Sequence, residues 1–74
     1  MRLVCQITNS PQPNGTVRWY TNVENLDDGT GIPCCILVAD EYYKAELNAK
    51  QIFNLLSRLT FPHLDLSGWS NTLQ

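Results

Sequence analysis

His63 is the only histidine in the chain, and the carboxylate of Asp65 lies two residues on, so proton transfer near neutral pH would have to run through this pair. A base needs something to act on. The sequence has no Gly-x-Ser-x-Gly elbow, no Walker loop and no Gly-x-Gly-x-x-Gly turn, so it offers no support for acyl transfer or nucleotide chemistry. His63 is expected to be a surface or partly packed residue, and the chain is expected not to be an enzyme. The thiols lead to the same expectation. Cys5, Cys34 and Cys35 are odd in number, and the adjacent two point to opposite faces of a strand, which favours reduced, packed side chains. A bridge from Cys5 to Cys34 or Cys35 would need neighbouring first and third strands and an oxidising compartment. Zinc would need a set such as Cys5, Cys34, Cys35 and His63, yet there is no Cys-x-x-Cys spacing and the two central ligands would diverge. The reading is no metal and no cofactor.

The carboxylates are the other chemical signal. Six of the seven acids, Glu24, Asp27, Asp28, Asp40, Glu41 and Glu46, fall in the middle third, four of them as Asp27-Asp28 and Asp40-Glu41 in expected turns. At one end of a sheet those turns would form a negative rim for a basic partner; the plainer reading is that acids favour solvated turns. Asn25, Asp27 and Gly29 give a fragment of a calcium loop without its closing Glu. Asp28-Gly29-Thr30 is similar to the end of the Asp-x-Asp-Gly-Thr loop of haloacid-dehalogenase-type phosphatases, but Leu26 stands where the nucleophilic Asp would be. Residues 24–33 are expected to be an acidic loop. The candidate partner-binding residues are Glu24, Asp27, Asp28, Asp40 and Glu41, with Tyr20 and Trp69 as aromatic contacts.

The elements that must position these side chains follow from periodicity. Leu3, Cys5 and Ile7 alternate with Arg2, Val4 and Gln6, predicting a strand over 2–8. The segment 9–16, NSPQPNGT, has two prolines and the hairpin signal Asn14-Gly15, predicting a reversal. Val17, Trp19, Thr21 and Val23 share one side of a second strand over 17–23, with Arg18 and Tyr20 on the other. The continuous apolar run CCILVA at 34–39 reads as a central strand covered on both faces or nearly so. Tyr43, Ala45 and Leu47 alternate with Lys44 and Glu46, predicting a fourth strand over 42–47. Ile52, Leu55, Leu56 and Leu59 then recur at helical spacing, predicting a helix over 49–59 with Asn48 and Gln51 as its capping box. Pro62 ends that helix by about Thr60. Leu64, Leu66, Trp69 and Leu73 make the tail too apolar for a free end, so Trp69 either packs internally or anchors a partner.

The fold class is therefore α+β: a small antiparallel sheet of three to four strands in two hairpins, one C-terminal amphipathic helix on one face, and an ordered tail, all in one domain over 1–74. A chain this short buries only about 60–65% of its unfolded surface, so a partner would help it. No apolar run approaches the roughly eighteen residues needed to span a bilayer, and the mixed N-terminus reads as a first strand of a cytoplasmic protein. Net charge −2 with five scattered basic residues argues against nucleic acid.

The leading expectation is a non-catalytic interaction module docking on a larger protein or complex with a basic surface. By type alone it is comparable to phage or mobile-element accessory and inhibitor proteins, anti-CRISPR inhibitors included, in which case it would act in the host cytoplasm. The first alternative is a single-stranded nucleic-acid binder using Arg18, Trp19, Tyr20 and Tyr42 on an open sheet. The second is a self-associating module, a possible homodimer, built through an edge strand or the tail.

Overall fold

The computed structural model describes residues 1–59 and 63–69. Three strands, β1 (Leu3–Pro11), β2 (Val17–Asn25) and β3 (Cys35–Ala39), form one antiparallel sheet in the order β1-β2-β3, and the helix α1 (Tyr42–Ser57) follows β3 directly. The sheet is two hairpins, as expected, but the second is β2 with β3 and not the expected pairing of 34–39 with 42–47 through Asp40-Glu41. In the first, Cys5 lies opposite Val23 and Ile7 opposite Thr21. In the second, Val23 lies opposite Cys35 and Trp19 opposite Ala39.

The predicted strand over 42–47 is absent, because those residues are the first turns of α1. Tyr43, Ala45 and Leu47 fit a two-residue period, but Ala45, Ala49, Ile52, Phe53 and Leu56 fit a helical stripe through the same stretch, and Ala, Glu, Leu and Lys favour helix. Small Ala45 and Ala49 are fully buried and let the helix backbone come down onto the sheet, where the Thr21 hydroxyl donates to the Ala45 carbonyl at 2.9 Å. Asn48 is therefore a mid-helix residue and caps nothing. The N-cap is Glu41, whose side chain makes no capping bond, and Asp40 instead pairs with Lys44 one turn on at 2.9 Å. The helix ends at Ser57, with Arg58 bonded back to Leu55 and Leu56; Thr60 and Pro62 lie outside the described residues.

β1 runs to Pro11 rather than stopping at residue 8, since an outer strand can end on a residue that lacks an amide hydrogen. The reversal itself is local chemistry. Gly15 takes φ 87°, and the Asn14 side-chain oxygen accepts from both the amide and the hydroxyl of Thr16.

The core lies between the sheet and α1. Leu3, Cys5, Val23, Ala49 and Trp69 are buried together, with Ile52, Phe53, Leu56, Leu64 and Leu66 packed around them. Trp69 is 1% exposed and its ring tilts against Phe53 with centroids 5.9 Å apart. The segment carrying it is hung on the outer side of β1. The Leu3 amide donates to the Asp65 carbonyl at 3.0 Å, the Asp65 amide donates to the Met1 carbonyl at 2.7 Å, and Arg2 and Asp65 form a parallel bridge.

Candidate docking surface

α1 covers one face of the sheet, and the strand register assigns each side chain to that face or the other. Thr8, Tyr20 and Val38 form one row across the uncovered face, and Gln6, Asn22 and Ile36 form the next. Asn22 ties these rows together by donating to the Gln6 carbonyl at 3.2 Å and to the Thr8 hydroxyl at 3.0 Å, which satisfies a nearly buried amide on the central strand. Towards β3 the face turns apolar. Ile36 is 50% and Val38 57% exposed, with half-buried Tyr20 beside them and Arg18 exposed one row on.

This corrects the reading of CCILVA as a central strand. The strand is five residues, Cys35–Ala39, and sits at the sheet edge. The cause is the helix: residues 42–47, which would have supplied the next strand, are wound into α1 and lie over the sheet instead. Among the described residues nothing pairs with the outer side of β3.

The acids do not form a single rim. Asp27 and Asp28 follow β2 at one end of the sheet, while Asp40 and Glu41 follow β3 at the opposite end. Much of the first pair's hydrogen-bonding capacity is spent locally. Asp27 Oδ2 accepts from the Arg2 amide at 3.0 Å and lies 3.4 Å from the Met1 ammonium, and Asp28 Oδ1 accepts from the amide and hydroxyl of Thr30. A short 3-10 turn over Leu26–Asp28, capped by the Asn25 side chain and closed by Gly29 at φ 69°, organises the loop. At the other end Asp40 is held below the usual carboxylate range by the Lys44 hydrogen bond. Glu24 is half-buried at the end of β2. Among the described residues no three His, Cys, Asp or Glu side chains converge as metal ligands would.

Trp69, one of the two aromatic candidates, is core and so is not an exposed anchor. The aromatic platform for nucleic acid is likewise split. Trp19 lies on the helix side of the sheet, edge-on to Tyr42 at 5.0 Å, while Arg18 and Tyr20 lie on the opposite face. His63 is exposed, with φ 73°, and accepts from the Met1 ammonium through its carbonyl. Asp65 is turned to the Ser67 amide at 2.9 Å and to Arg2, and is not positioned as an orienter. Cys5 is buried and its thiol is pushed up to about 11; Cys34 and Cys35 are exposed and free.

Comparison with known protein-family models, with curated proteins and with solved structures returns no match. The surface must be read from its own chemistry. Sequence reasoning placed Tyr20 on the correct strand face but missed Ile36 and Val38, which it assigned to a covered interior. No helix of the described residues is long and apolar enough to cross a membrane.

Proposed function

We propose that this chain is a non-catalytic protein–protein interaction module that docks a larger partner through the uncovered face of its sheet and the adjoining edge of β3. The observation that carries the reading is exposed Ile36 and Val38 on adjacent rows of β3, Val38 directly beside Tyr20, on a face that α1 leaves open. Contiguous exposed apolar side chains on a small chain signal an interaction site, and an unpaired strand edge adds backbone donors and acceptors that suit strand addition. Asp27 and Asp28 beyond one end of the sheet, and Asp40 and Glu41 beyond the other, favour a partner whose apolar strip is flanked by basic residues.

A photo-crosslinking residue placed at Tyr20, compared with one at Gln51 on the outer side of α1, tests this. The reading expects a discrete adduct with a protein of different mass from the first position only, lost when Val38→Lys is added. Equal labelling from both positions, or none from Tyr20, would refute it.

A further inference from the structure

Cys35–Ala39 has the composition of a strand with a neighbour on each side, and among the described residues it has a neighbour on one. Its five residues include no charge and no proline, the devices by which natural edges refuse a further strand. The outer side of β1, by contrast, receives the 63–69 segment at its start, at the Arg2–Asp65 bridge, and the strand ends on a proline, Pro11. We infer that β3 pairs with β3 of a second copy of this chain, antiparallel about a two-fold axis, joining two three-stranded sheets into one of six strands. This rests on the reading of the open face and its edge as a docking surface, and it names one occupant of that edge.

The strand is complementary to itself in one orientation. With the axis at Leu37, position 36 of one copy faces position 38 of the other, and 35 faces 39. Ile36 and Val38 of both copies then form one apolar cluster on the open face, with each Tyr20 a strand further in. The acids choose the orientation. Parallel pairing would stack Asp40 on Asp40 and Glu41 on Glu41. The antiparallel arrangement places the two Asp40 residues about 20 Å apart along the ladder, well beyond the roughly 8 Å screening length at physiological salt. So short a ladder covers less than the roughly 800 Å² per partner of a standard stable interface, so the dimer dissociates on dilution. Each copy carries a net charge of −2, so added salt tightens it.

Sedimentation of the intact chain between about 10 μM and about 1 mM, the range of weak association, reads this out. The expected result is an average mass rising toward twice the monomer, more steeply at high salt, with β3 amide exchange slowing in step. Ile36→Lys with Val38→Lys, and separately Ile36→Glu with Val38→Glu, should each hold the chain monomeric with helicity unchanged. Mixing the two variants should restore association, because opposite charges then face each other across the axis. Wild-type chain that stays monomeric throughout overturns the inference, as do charge variants that associate like wild type or association that weakens as salt rises. A monomer that still gives the Tyr20 adduct with a foreign protein removes the self-pairing and leaves the docking surface in place. A dimer without that adduct does the reverse.

Discussion

The two outer edges of this sheet carry the same backbone chemistry and have opposite fates. At β1 the 63–69 segment supplies hydrogen bonds to Met1 and Leu3 and then drives Trp69 under the helix. At β3 the described chain supplies nothing, and Ile36 and Val38 stand in solvent. The start of the β1 edge, at Met1 and Leu3, is closed here by a segment whose indole is buried beside it. The edge without such an anchor is the one left for another molecule.

Removing the anchor gives the largest expected effect at either edge. Trp69→Ala empties a site against Phe53, Leu3 and Val23, and large-to-small changes at buried aromatics cost about 3–5 kcal/mol. In a chain this small that is a large part of the total stability, so urea denaturation should show a collapse in midpoint and the β1 edge should lose amide protection. A midpoint near wild type would mean that Trp69 does not close the edge. Between the two edges, Thr21→Val removes the hydroxyl that ties β2 to the helix at Ala45 and should cost about 1 kcal/mol by the same measurement.

The difference between the edges was half legible in the letters. Leu64, Leu66 and Trp69 announce a packed segment over 63–69 because so many apolar groups cannot remain wet, while Leu73 lies outside the described residues, and the first hairpin is written in Asn14-Gly15. The bare edge was hidden by Tyr43, Ala45 and Leu47, whose two-residue spacing mimics a strand although only Ala45 belongs to the buried helical stripe. Only the tertiary choice of helix, made by Ala45 and Ala49 fitting against Thr21 and Val23, turns CILVA from an interior strand into an outer one. The acid rim failed for a different reason: β2 and β3 are antiparallel, so the acidic turns that follow each of them fall at opposite ends of the sheet. The aromatic candidates divided by parity, since Trp19 and Tyr20 are adjacent on one strand and must face opposite ways.

Asp65 sharpens the comparison at the closed edge with a smaller effect. Its carboxyl is held below the ordinary Asp value of 3.8, first by the Ser67 hydrogen bonds and then by Arg2. The folded chain therefore prefers the ionised form, and this contribution is present above the ordinary value and lost as the pH falls through the lower folded one. Asp65→Asn should flatten part of the acid limb of a stability profile by lowering the neutral plateau slightly, while leaving the stability at the acid end nearly unmoved. An unchanged acid limb would place the carboxylate outside the closure of this edge.

The smallest expected effect on stability lies at the open edge and is informative because of its size. Val38 and Val23 sit on adjacent strands with opposite facing, one 57% exposed and the other 3%. Val38→Lys keeps its alkyl stem along the sheet and its ammonium in water, so stability should move by no more than about 0.5 kcal/mol. Val23→Lys forces the same charge between Cys5 and Ala49, where no acid lies within the core cluster to receive it, and should leave the chain unfolded. If Val38→Lys instead destabilised the dilute monomer as a core substitution does, β3 would already be covered within one chain. The asymmetry between the two edges would then disappear.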